Sequence, residues 1–273
     1  MSHQVCEREG ARVPHHRLRA GRVTAVLVLA VASGTAACGP AEKTGTTEKA
    51  GATAKTSTTP ATGTAGGPAA APANGVEKLG ADEILRRARK ATDGARSLRV
   101  HGQVQDSGDT YTLDFRYEGA TKSTGWFQQG NQRVEITRIG KEVYLKGNDA
   151  FWKSIGGKGA LQLFSGKYLK TSNTAADFKD LSIFTYRTAL FNEAVKSADT
   201  WRKGKALTVG GTPALSLTTA GAADEIHVAT QGEPYVLALA GGPENRIEYT
   251  DYGKPVTVQR PPAGSIVDES AFD

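Results

Sequence analysis

The chain has 273 residues and a formal charge of +6, with 34 Lys and Arg against 28 Asp and Glu; this length fits one or two domains. Five arginines (Arg8, Arg12, Arg17, Arg19, Arg22) against two glutamates (Glu7, Glu9) fall in the first 37 residues, so half of the excess charge precedes any folded part. The remainder has no basic stripe of the kind that phosphate backbones select, and nucleic acid is not an expected partner.

Val23 to Cys38 reads VTAVLVLAVASGTAAC, a run of apolar and small residues behind the arginines. It is too short to span the roughly 30 Å of a bilayer core as a helix, and its order of basic, apolar and small residues is that of an export signal. Thr35-Ala36-Ala37-Cys38 resembles a bacterial lipobox, with Thr35 where that motif usually carries Leu. The resemblance implies that Cys38 receives a diacylglycerol and becomes the new N-terminus. The other reading is an ordinary secretory signal in which Cys38 has no special role. Either way residues 1–37 are expected to be removed, taking Cys6 with them. One cysteine then remains, which leaves no internal disulfide and no cysteine metal site.

Residues 38–75 follow as a tether rich in Thr, Ala, Gly and Pro without a large apolar side chain. Such composition buries too little surface to offset its ordering entropy. As a flexible coil its reach is roughly 35 Å, enough to hold a domain clear of a membrane. The folded domain is expected over residues 76–273.

That domain begins with a predicted helix, Ala81 to Ala95, with Asp82 and Glu83 at its start and Ile84, Leu85, Ala88 and Ala91 at helical spacing. Arg86 and Arg87 belong to its solvated face. The period then changes to two. Val100 lies in the first alternating run; Leu113 and Phe115 lie in the second; Trp126, Val134, Ile136, Val143 and Leu145 lie in the next three. Gly130-Asn131 and Gly140-Lys141 supply turns, so the segment reads as a meander of hairpins with one apolar face. From Phe151 to Val195 the pattern is helical again, with Leu161, Phe164 and Tyr168 on one side of one helix and Phe178, Phe184 and Phe191 in a second stretch. Alternation returns from Lys205 onward and carries Leu217, Ile226 and Val228; the last predicted strand is Val256–Gln259. The fold class is α+β, one highly curved antiparallel sheet of about eleven strands with helices before it and in its middle.

No catalytic signature is present: no G-x-S-x-G, no phosphate-binding glycine loop, no H-E-x-x-H. The domain's two histidines, His101 and His227, sit on predicted strands without metal-ligand spacing. Acidic pairs such as Asp224-Glu225 and Asp268-Glu269 read as solvated charge. No enzyme activity, metal or cofactor is expected. The informative feature is the apolar face of the meander, which the aromatic middle segment must cover. If that segment fills the face, the result is a solid core. If it bridges the face, an apolar cavity remains for lipid-like ligands. Core and cavity wall read alike in sequence.

The stretches SLRVHGQV (97–104), VYLKGNDAFWKS (143–154), GKYLK (166–170) and IEYTDYGKPVTVQRPP (247–262) resemble the actinobacterial lipoproteins of the LppX and LprG type, relatives of the LolA and LolB carriers. The resemblance covers nearly all of residues 76–273. It implies a half-barrel with helices closing its concave side over a cavity for acyl chains of lipids or glycolipids. It also implies attachment to the outer face of the cytoplasmic membrane. Candidate wall residues are then Val100, Leu113, Phe115, Trp126, Val134, Ile136, Val143, Leu145, Leu217, Ile226 and Val228, and lid candidates are Leu161, Phe164, Phe184 and Phe191. An alternative on the same scaffold is a sensor or interaction module that binds a membrane protein.

Overall fold

Residues 71–272, apart from 107, 199, 221–223 and 243, are described by a computed structural model. The export signal, Cys38 and tether residues 39–70 lie outside the described residues. The first helix, α1 (Ala81–Gly94), buries Ile84, Leu85, Ala88 and Thr92 along one stripe, the i, i+4, i+8 spacing of a helix seated on a sheet. On its solvent side Glu83 is bracketed by Arg86 and Arg87, at 2.5 and 2.6 Å.

Five strands follow as hairpins: β1 (Ser97–Asp106), β2 (Asp109–Glu118), β3 (Lys122–Gln129), β4 (Gln132–Ile139) and β5 (Glu142–Gly147). The β3–β4 and β4–β5 turns are two residues long, with Gly130 and Gly140 leading at φ 54° and 65°. Glycine at that position gives the backbone the twist that flanking strands need. Next comes a helical insertion. Its first helix, α2 (Asp149–Phe164), is capped by Asn148, whose side chain accepts the Phe151 N–H at 2.9 Å. The helix is broken at Gly156-Gly157, and Gly157 has φ 62° and ψ −146°, a conformation essentially confined to glycine. After β6 (Tyr168–Ser172) come 3-10 turns around α3 (Lys179–Ser182), and then α4 (Ala189–Lys196). The remaining strands are β7 (Trp201–Val209), β8 (Thr212–Thr219), β9 (Asp224–Ala229), β10 (Val236–Gly241), β11 (Arg246–Thr250) and β12 (Ile266–Asp268).

All twelve strands form one sheet in the order β12-β6-β5-β4-β3-β2-β1-β11-β10-β9-β8-β7, antiparallel except for the parallel β12–β6 pair, and it does not close into a barrel. The α+β class with a mainly antiparallel sheet is therefore present. Two assignments change. Tyr168 begins β6 rather than extending α2, because Gly166 at φ 72° ends the helix two residues earlier. Val256–Gln259 is not a strand. It lies between Pro255 and Pro261-Pro262, which lack the N–H groups a ladder needs, and it belongs to the connection carrying the chain from β11 to β12.

Residues 71–75, ahead of the expected domain start, already touch the sheet. Ala73 bridges Gln231, and the Asn74 side chain donates to the Ala229 carbonyl at 3.0 Å.

Candidate functional site

Alternation divides the sheet into a face covered by helices and an opposite face, which is open over β1–β4 and carries a second buried cluster of Val209, Ala214, Ala229, Leu237 and Ala238 over β7–β10. On the covered face one row runs across seven strands in register: Tyr249, Val100, Phe115, Gly125, Ile136, Leu145, Leu169. Gly125 carries no side chain because the Phe115 ring occupies the space; a Cβ there would stand 2.6 Å from that ring and 2.3 Å from the Asp114 carbonyl. Toward the other edge, Leu217 pairs with Ile226 and Leu215 with Val228.

The structure places ten of the wall candidates in one core: Val100, Leu113, Phe115, Val134, Ile136, Val143, Leu145, Leu217, Ile226 and Val228. Val134 and Ile136 are 0% exposed, so no water-sized void borders them. Trp126 is the exception. It registers with Asp114 and Glu135, and its neighbour Phe127 takes the inward position, so Trp126 belongs to the open face. There Arg133 stacks on its ring at 3.8 Å.

The insertion covers the β2–β5 part of the face with aromatic side chains. The Phe184 ring lies 5.9 Å from that of Phe115, and Phe164 packs on Trp152 at 4.8 Å. Phe191 and Phe178 are buried, while Leu161 is only partly buried at the edge of the same cluster. In this conformation the apolar face is filled.

At one end the covered face turns polar. The next row reads Leu98, Tyr117, Ser123, Arg138, Val143. Arg138 is 4% exposed and donates to the carbonyls of Ala120 at 2.8 Å and Gly140 at 3.4 Å. Arg187, from the turn before α4, is 5% exposed and donates to the carbonyls of Asp93, in the last turn of α1, and Ala95, its C-cap. That helix end attracts a cation. The Tyr117 hydroxyl donates to the Phe184 carbonyl at 2.7 Å. Burial pushes both guanidiniums below their ordinary range and pushes the Tyr117 hydroxyl well above its own.

Neither arginine stands out as a motif. The signal for Arg138 was nonetheless present: in V-E-I-T-R it shares the parity of Val134 and Ile136, so the alternation that buries those residues buries a cation as well.

The open face holds a cleft of about 390 Å³ lined by Arg99, His101, Thr112, Asp114, Trp126 and Glu248 among others. Its charges neutralise one another. Arg99 grips Asp114 through two bonds of 2.9 and 2.7 Å, and Arg246 reaches Glu248 at 2.7 Å. Burial is the largest effect on Asp114 and raises its pKa, but the Arg99 bond with the fields of Arg116 and Arg99 outweighs it and the net shift is downward. His101 lies 3.8 Å from Glu248. His227 lies on a strand, β9, as expected; it is buried, and its Nε2 is 2.8 Å from the Glu225 carboxylate. The Asp224-Glu225 pair is therefore not simply solvated: one carboxylate is bonded to His227 and burial raises the pKa of the other.

Among the described residues no group of three His, Cys, Asp or Glu side chains is placed to hold a metal ion, and no helix is long and apolar enough to cross a membrane. No protein-family model matches the chain, and no curated protein matches it.

Proposed function

We propose that the protein is a lipid-anchored carrier on the outer face of the cytoplasmic membrane, held there through Cys38. Its covered sheet face, curved as a half-barrel, takes up acyl chains of lipids or glycolipids and performs no covalent chemistry. The observation that supports this reading most is the construction of the cover. One continuous apolar face is closed over β2–β5 by an insertion that contributes aromatic rings and is broken at Gly156-Gly157. An acyl chain replaces those rings when the insertion swings outward. Each buried CH₂ then contributes about 0.8 kcal/mol, offset in part by the ordering of the cover.

The decisive experiment is native mass spectrometry of the full-length chain purified from a lipid-rich host, followed by transfer of a fluorescent fatty acid between vesicles. Co-purifying lipid that is lost on denaturation, with transfer slowed by Val134→Trp in a folded variant, is the expected result. Transfer unchanged by that substitution removes Val134 from the path of the ligand. A second reading is favoured by the filled state of the face: a sensor that binds a membrane protein with its core permanently closed. That reading requires a lipid-free mass and stoichiometric capture of the partner without net lipid transfer.

A further inference from the structure

We infer that Arg138 and Arg187 form a binding site for a phosphoryl oxyanion, opened by displacement of Tyr186. The two side chains come from different layers, Arg138 from β4 and Arg187 from the insertion, and Tyr117 feels both of their charges. Each keeps one buried nitrogen without an acceptor, Nε on Arg138 and Nη2 on Arg187. The Ser123 hydroxyl, opposite Arg138 in the β3–β4 register, is also buried without a partner. The acceptors these guanidiniums do have are neutral carbonyls. Among the described residues no carboxylate comes within the 4.0 Å of an ion pair to either one.

Two buried cations whose hydrogen-bond acceptors are all neutral are costly; the Asp93 carboxylate acts on Arg187 only from beyond ion-pair distance, and the two cations repel each other. A phosphate or phosphate ester supplies what is missing. It brings negative charge between the guanidiniums and oxygens to accept from both of those nitrogens and from the serine. Tyr186 forms the entrance. Its ring lies over the Arg138 guanidinium at 4.5 Å, the residue is 39% exposed, and its hydroxyl accepts from Asn173 Nδ2 at 3.0 Å, so its outward turn breaks one exposed hydrogen bond and leaves the sheet packed. The oxyanion has two sources: free phosphate, or the phosphate head group of an amphiphile whose chains enter the apolar face beside it. The second source rests on the acyl-chain reading above; the first does not.

The test is calorimetric titration of the full-length chain in detergent with inorganic phosphate, dihexanoyl phosphatidic acid and dihexanoylglycerol. The lipid source predicts that phosphatidic acid binds about ten-fold or more tightly than the neutral lipid, the scale of bonds to charged groups. Arg138→Met and Arg187→Met should abolish that preference while leaving the neutral lipid's affinity unchanged. Binding of inorganic phosphate, lost in both variants, with no uptake of either lipid, supports the site and overturns the acyl-chain reading. Equal binding of the two lipids without phosphate binding overturns the site and leaves the acyl-chain reading standing. No binding of any probe overturns both. Should the methionine variants fail to fold, Arg138→Lys keeps the charge and loses the Nε–H, and is expected to weaken the preference. The comparison of probes on the wild-type chain decides the matter without any variant.

Discussion

The ring of Phe184 stacks on that of Phe127, with centroids 4.5 Å apart and planes inclined by 23°. One residue comes from the helical insertion and the other from β3, so this contact joins cover to sheet. The Phe184 carbonyl also accepts the Tyr117 hydroxyl, which makes the same residue a plug and a latch. Phe184→Ala should therefore lower stability by about 3–5 kcal/mol, the cost of a large cavity that collapses only in part. Urea unfolding measures it, with the midpoint falling and the slope unchanged. A loss below about 1 kcal/mol would mean that the insertion repacks freely over the sheet.

Gly102 sits in β1 with φ 147°, and a Cβ there would stand 2.0 Å from the Arg246 carbonyl oxygen of β11. The atom in the way is backbone and cannot rotate aside. Gly102→Ala should cost about 2–4 kcal/mol through overpacking and an unfavourable φ. Amide exchange should show the loss first where β1 meets β11, the join between the two halves of the sheet. Wild-type protection there in the variant would contradict the close approach.

Lys170 and Asp268 hold β12 to β6 at 2.7 Å. The Lys170 bond, with further bonds from Ser270, holds the Asp268 carboxyl down to about 2. A carboxyl whose pKa is lowered by folding stabilises the fold above its unfolded value and loses that effect as pH falls through its folded value. Docking of β12 should thus weaken between about pH 4 and pH 2, and Asp268→Asn should show the acid behaviour at neutral pH. Amide exchange of 266–268 across that window is the measurement; protection independent of pH would remove Asp268 from the role.

Tyr117, Tyr249 and Tyr252 are held far above the ordinary tyrosine range, in each case chiefly by burial. For a pKa raised by folding, the stabilisation is complete below the unfolded value and is lost as pH rises beyond it. The fold should accordingly lose stability above about pH 10, where unfolded tyrosine ionises. An ultraviolet titration should show these three ionising only together with loss of near-ultraviolet circular dichroism. Smooth ionisation of all 8 tyrosines in the folded state would contradict their burial.

Alternation was strong enough to place Val134, Ile136 and Leu217 on one face, because each sits between polar neighbours and only one parity of such a run is apolar. It failed at Trp126-Phe127, two adjacent aromatics for which alternation offers either choice. Pairing with β2 and β4 settled it: Phe127 faces Leu113 and Val134, while Trp126 faces Asp114 and Glu135. Tyr168 was hidden for a related reason. Its spacing from Leu161 and Phe164 suits a helix, and β6 forms because the side of β5 away from β4 is there to pair with it.

The sequence by itself determined the periods of the elements, the hairpin turns marked by glycine and the absence of a catalytic motif, since these depend on residues close together in the chain. Tertiary structure decided what lies against what. It brought Arg187 to the end of α1, 92 residues away, put Arg138 under Tyr186, and set Phe184 upon Phe127. Sequence cannot show whether an apolar face is filled or hollow, because the residues that line a cavity are those that build a core. Only the positions of the covering rings separate the two, and here they fill the face.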